Sequence, residues 1–143
     1  TTWKGRLEII KYLNKKILVD CAHNYPAAKA LSNERSNWDN QEEGIYWILG
    51  VQKQKDIDAI LKTLLKKNDH LLLVPVPNQP SWQLKDLSLI REIDCKKIIE
   101  FEKFEFAIDY LFSLEKWPSN HPVLTGSIFL VAEFIKFANK QKF

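Results

Sequence analysis

Three short stretches of this chain carry residues able to do chemistry. The first, Asp20-Cys21-Ala22-His23-Asn24, sets a carboxylate, a thiol, an imidazole and an amide side by side. The second spans 50–56, from Gly50 to the pair Lys55-Asp56. The third is Thr125-Gly126-Ser127. Each follows an apolar run and precedes a helical pattern. In open α/β sheets, ligands bind at the carboxyl ends of the strands, and the N–H groups that open the next helix favour anions there. Ser127 stands where a helix N-cap belongs. Asp56 suits a first helical turn, where the dipole favours an acid. The four glycines, at 5, 44, 50 and 126, cannot build a glycine-rich phosphate loop, and no G-x-x-x-x-G-K-[ST] is present. Cys21 and Cys95 form no CxxC and have no His at ligand spacing, so no metal site is expected. They read as two unpaired small hydrophobes in a reducing compartment.

The elements that must position these loops are visible as alternating periods. Residues 17–20, 45–49, 71–76 and 123–125, with the group Ile98, Ile99 and Phe101, are short apolar runs. Their lack of strict alternation suits strands buried on both faces. A hairpin or edge piece is expected over 6–10. Between the runs, Ile57, Ile60, Leu61, Leu64 and Leu65 recur at helical offsets, as do Phe104, Ala107, Ile108, Leu111 and Phe112. Residues 128–138 are apolar on most sides, which predicts a deeply packed helix. Shorter helices are predicted over 27–31 and 82–93, and a polar loop over 33–44. The repeated order of strand and helix predicts an α/β domain with a mostly parallel sheet flanked by helices.

Composition sets the outer bounds. The chain has 143 residues, of which 45% are hydrophobic and 27% charged, and a net charge of +3. That excludes a disordered tail, a collagen-like repeat and a membrane bundle. The lysines are interspersed with acids, so no nucleic-acid partner is indicated. The absence of Met predicts a chain that is processed or cut from a larger protein.

Four motifs together carry a resemblance. They are Trp3-Lys4-Gly5-Arg6-Leu7-Glu8, Val19-Asp20-Cys21-Ala22-His23-Asn24, Gly50 followed by Lys55-Asp56, and Leu124-Thr125-Gly126-Ser127. In this order the chain resembles the C-terminal domain of folylpolyglutamate synthase, often bifunctional with dihydrofolate synthase, in the Mur ligase superfamily. Three positions depart from the family pattern: Cys21 for a Gly, Tyr25 for a Pro, and Gln54 for an acid.

The resemblance implies a Rossmann-like three-layer domain of the Mur ligase C-terminal type over 1–143. It implies an ATP-dependent amide ligase that adds L-glutamate to folates or dihydropteroate through an acyl phosphate. The P-loop and the Mg2+ ligands would belong to an N-terminal domain absent from this chain, so the isolated domain is expected to be inactive. By the same resemblance Arg6 and Asp20 would bind ATP, Arg6 at a phosphate or elsewhere on the nucleotide and Asp20 at the ribose. His23 and Ser127 would bind glutamate, with His23 a candidate catalytic residue. Asn24, Lys55 and Asp56 would line the interdomain crevice. Simpler roles stand beside these: Arg6 as a surface partner of Glu8, Asp20 and Asn24 as caps, His23 as a loop-fixing histidine, and Asp56 as a helix-start acid. Trp82 would be a packing or interface residue. The implied setting is the cytoplasm, with the enzyme's own N-terminal domain as partner and no membrane. Two rivals are a peptidoglycan-building Mur ligase, whose acceptor-binding stretch (D-N-P-R in the diaminopimelate enzymes, for example) is missing from 75–82, and a non-catalytic α/β binding module.

Overall fold

Leu13 and Asn14 both take positive φ, 48° and 68°, as a two-residue type I′ hairpin turn requires. They join β1 (Glu8–Tyr12) to β2 (Lys15–Val19) in an antiparallel pair, with Glu8 opposite Val19 and Tyr12 opposite Lys15. The expected edge piece is therefore present, displaced toward the turn. The structure is a computed structural model that describes residues 7–35, 37, 43–88 and 90–140.

The other strands, β3 (Tyr46–Leu49), β4 (His70–Leu73), β5 (Lys97–Glu100) and β6 (Val123–Thr125), run parallel to β2 and to one another. Among the described residues the sheet has six strands, in the order β1-β2-β6-β3-β4-β5. The last strand in the chain thus lies between β2 and β3. The mostly parallel sheet is the one expected. β4 stops short of the predicted run because Pro75 and Pro77 have no N–H to give a ladder.

Both faces of the sheet are covered. Trp47, Leu49, Leu71 and Leu73 pack with α1 (Tyr25–Arg35) and α2 (Ile57–Leu64), through Leu31, Ile60 and Leu64 among others. The alternate residues Ile48, Leu72 and Leu124 point the other way, onto α3 (Phe104–Ser113) and α4 (Ile128–Lys140). Each such buried side chain contributes about 1.5–3 kcal/mol. The result is three layers, as expected for a Rossmann-like domain.

Three expectations change. Residues 82–93 form two single 3-10 turns, Leu84–Asp86 and Ile90–Glu92, rather than one α-helix. Leu84, Leu87, Ile90 and Ile93 recur every three residues, which is the 3-10 period. Asn33, Glu34 and Arg35 belong to α1 and not to a loop, and Arg35 is buried; within 33–44, residues 36 and 38–42 lie outside the described residues. α4 buries one side only. Leu130, Val131, Phe134 and Ala138 face the sheet, while Ile128 and Phe129 are exposed. Among the described residues, no helix is long and apolar enough to cross a membrane.

Candidate functional site

The parallel register brings the ends of β2, β3 and β6 side by side, and with them the loops at Asp20, Gly50 and Thr125. Asp20 is the centre of the arrangement. It is 6% exposed. Its Oδ1 accepts from the Ala22 N–H at 2.8 Å, and its Oδ2 accepts from the Leu7 N–H at 3.1 Å. One carboxylate therefore clamps its own loop and the chain leading into β1. Leu7 sits at φ 45°, a conformation rare for a branched side chain. The Asp20 contact supports it.

Asp20 and His23 open onto one cavity of about 380 Å³, walled also by Leu7, Ala22, Leu31 and Glu34. His23 is half-buried, and its Nδ1 lies 2.8 Å from the Cys21 carbonyl. A carbonyl only accepts, so Nδ1 carries the proton. In the neutral ring Nε2 is then the acceptor. Cys21 is buried, and burial, with Asp20 next to it, pushes its thiol up to about 11. It stays a neutral thiol near pH 7, so the sulfur is a packing group rather than a nucleophile. Neither cysteine is bridged.

Ser127 does not open into this cavity. It is fully enclosed, its Oγ accepts from the Phe129 N–H at 3.1 Å, and its carbonyl accepts from the Val131 N–H. That is the N-cap of α4. Its neighbour Gly126 has φ 109°, and a Cβ there would lie 2.4 Å from the Gly50 carbonyl oxygen. Only glycine permits this close approach of two loops.

The remaining candidates hold turns. Asn24 caps α1, its Oδ1 accepting from the Ala27 N–H at 3.0 Å. Asp56 caps α2, its Oδ1 accepting from the Ala59 N–H at 3.1 Å. Lys55 is half-buried, and its carbonyl accepts from the Trp82 indole at 2.9 Å. Trp82 thus packs between loops, with the Lys53 ammonium 4.5 Å from its ring. Arg6 lies outside the described residues.

Residues 5–137 match the family described as dihydrofolate synthetase, C-terminal domain. The chain belongs to this family. Among curated relatives, the probable dihydrofolate synthetase of Schizosaccharomyces pombe is 25% identical over 96% of this chain and 34% of its own length. The dihydrofolate synthase/folylpolyglutamate synthase of Buchnera aphidicola is 24% identical over 96% of this chain and 32% of its own. The chain thus spans about a third of these relatives. Its fold matches about a third of the length of solved folylpolyglutamate synthases. The Thermotoga maritima structure superposes with TM-score 0.78 at 23% identity, over 99% of this chain and 32% of that one. A Mycobacterium tuberculosis folylpolyglutamate synthase, complexed with ADP and AMPPCP, gives 0.75 at 22% identity, over 96% and 32%.

In this dihydrofolate synthetase C-terminal domain the cavity, at about 380 Å³, lies toward the small end of the roughly 300 to 1,000 Å³ range of small-molecule sites. Its polar side chains include the Asp20 and Glu34 carboxylates, which accept hydrogen bonds, the His23 imidazole, whose Nε2 accepts, and the Asn33 amide, which does both. Among the described residues, no three His, Cys, Asp or Glu side chains converge to hold a metal ion. Two features of the domain escaped sequence reasoning. The Asp20–Leu7 clamp needs the β1–β2 pairing, and the hydroxyl of Thr125, which donates to the Asp20 carbonyl at 2.7 Å, becomes meaningful only once β6 is placed beside β2. The sequence signal for the second is a polar residue ending an otherwise apolar run.

Proposed function

We propose that this domain is the C-terminal part of an ATP-dependent amide ligase that joins L-glutamate to folates, to dihydropteroate, or to both. ATP transfers its γ-phosphoryl group to a substrate carboxylate and leaves as ADP; the neutral glutamate amine attacks the acyl carbon, the C–O bond to phosphate breaks, inorganic phosphate leaves, and the amine's proton passes to phosphate or solvent. The observation that carries the reading is the shared cavity of Asp20 and His23, at the strand ends of a chain from the dihydrofolate synthetase family. The relatives' size supports a larger preceding portion that would hold the P-loop and Mg2+; this portion would be the domain's partner in the cytoplasm.

In this reading the Asp20 carboxylate, on the wall of the cavity, is the group that faces the ribose hydroxyls. Its backbone bonds hold it still, so binding costs little reorganisation. Arg6 supplies a fixed charge and a planar fork for phosphate oxygens. His23 offers Nε2 to the incoming ammonium, orienting the amine without serving as its base. Ser127, enclosed as the cap of α4 and outside the cavity, is given no glutamate contact in this reading. Asn24, Lys55 and Asp56 sit at the starts of α1 and α2 along the crevice, with the partner domain opposite. Closure of the two domains would exclude water from the acyl phosphate.

The test uses the full protein. ADP release should require glutamate together with a folate or dihydropteroate, and the product should be one glutamate heavier. Residues 1–143 alone should release no ADP. Turnover by the isolated domain, or none by the full protein with any of these substrates, would refute the reading; the second outcome would favour a binding module.

A further inference from the structure

Thr125 ends β6 inside the protein, fully enclosed. Its neighbours in the strand, Val123 and Leu124, are apolar and buried. A valine has the same shape and would suit such a strand equally well. The hydroxyl is therefore the feature to explain. It donates to the Asp20 carbonyl at 2.7 Å. The Asp20 N–H donates to the Leu124 carbonyl at 3.2 Å. Both peptide groups of Asp20 are thus fixed to β6, one by the ladder and one by a side chain that reaches beyond it.

The consequences run along the loop. With its peptide groups held, Asp20 directs Oδ1 to the Ala22 N–H and Oδ2 to the Leu7 N–H. The first of these closes the turn over Cys21. The Cys21 carbonyl then stands where the His23 Nδ1 can donate to it. These contacts follow one another along the loop from Thr125 to His23. Thr125 also anchors the next loop, its carbonyl accepting from the Gly50 N–H at 3.2 Å.

We propose that Thr125 is a positioning residue. Its hydroxyl sets the orientation of the Asp20 carboxylate and the His23 imidazole without touching a ligand. The inference rests on the reading of Asp20 and His23 as nucleotide- and glutamate-facing groups. It adds a residue whose effect is transmitted through another.

The experiment compares Thr125→Val, Thr125→Ser and Asp20→Ala, with the Asp20→Ala/Thr125→Val double variant, in the full protein. Thr125→Val should raise the KM for ATP roughly three- to tenfold, the worth of one neutral hydrogen bond. The KM for glutamate should rise in parallel. Thr125→Ser keeps the donor and should restore both. In the Asp20→Ala background, Thr125→Val should add nothing to the ATP effect, because the group it orients is gone. Thr125→Cys, a weaker donor, should fall between Val and Ser and serves if the valine variant does not fold. A lowered melting temperature with wild-type KM values in the Val and Cys variants would overturn the proposal. So would additive effects with Asp20→Ala. An unchanged ATP KM in Asp20→Ala alone would instead remove the nucleotide reading on which the proposal stands.

Discussion

Arg35 and Asp69 meet fork to fork inside the protein, Nη2 to Oδ1 at 2.6 Å and Nη1 to Oδ2 at 2.7 Å. The pair lies at the opposite end of the sheet from His23, where α1 ends and β4 begins. Asp69 also accepts from the Ile45 N–H, the Lys66 N–H and the Trp47 indole, each at 2.9 Å. Arg35 reaches the Leu64 carbonyl at the end of α2. One carboxylate thus gathers both strand starts and both helix ends on this face. Arg35→Met should destabilise the domain by about 3–5 kcal/mol, because it leaves a buried charge without its partner. Urea unfolding measures this. A loss under about 1 kcal/mol would mean that water or another cation compensates.

Asp20→Ala and Arg6→Ala test the proposed nucleotide contacts. Each removes a charge-assisted hydrogen-bonding group. That is worth about 1.5–3 kcal/mol, or roughly 10- to 100-fold in kcat/KM for ATP. Asp20→Ala should also lower stability, since it releases the Leu7 and Ala22 N–H groups. Steady-state kinetics and thermal melts together separate the two effects. Unchanged ATP kinetics in both variants would leave Asp20 a purely structural clamp.

His23 and Ser127 should behave differently from each other. His23→Ala should raise the KM for glutamate more than that for ATP, because the imidazole faces the cavity. Ser127→Ala loses an N-cap and should cost about 0.5–2 kcal/mol of stability. Its glutamate KM should move less than that of His23→Ala. A larger glutamate effect in Ser127→Ala would show that α4 turns its cap toward the ligand on domain closure.

His70 predicts a pH dependence. It stacks on Tyr46 with ring centroids 4.0 Å apart, and its Nδ1 is buried without a hydrogen-bond partner. Burial first, then the Lys96 charge, lowers its pKa below 6.5, with Lys97 adding to this and Asp69 opposing. The unfolded chain therefore takes up a proton at a pH where the folded chain does not. The resulting stability is fully present above pH 6.5 and is lost as the pH falls through the folded-state value. His70→Phe keeps a ring against Tyr46 and should flatten the profile of unfolding free energy between neutral pH and the onset of carboxylate titration. The same slope in wild type and His70→Phe would exclude His70 as its source.

The elements were legible where one period dominated. The runs of β3 and β6 are apolar because both faces of these strands are covered, and the offsets in α2 match its buried residues. The hairpin turn was hidden because leucine seldom takes the positive φ found at Leu13. The end of α1 looked like a loop because Arg35 finds its partner 34 positions away in sequence. At the site, Asp20 and His23 are close in sequence and remain close in space. Ser127 was placed correctly as a cap, but a local pattern does not reveal which way a capping hydroxyl points. The contacts of Asp20 with Thr125 and Leu7 depend on strand order, which no periodicity encodes.

The position of β6 has a consequence for how the domain comes into being. A nascent chain emerges from its N-terminal end, so β1 with β2, and β3 with β4 and β5, are available well before the strand that joins them. Until Val123, Leu124 and Thr125 arrive, the two groups have no ladder to each other, and the inner edges of β2 and β3 are unpaired. Unpaired inner edges are the surfaces on which chains aggregate. Synthesis that stalls before residue 123 would therefore leave two sticky half-sheets, whereas completion seals both edges in one step.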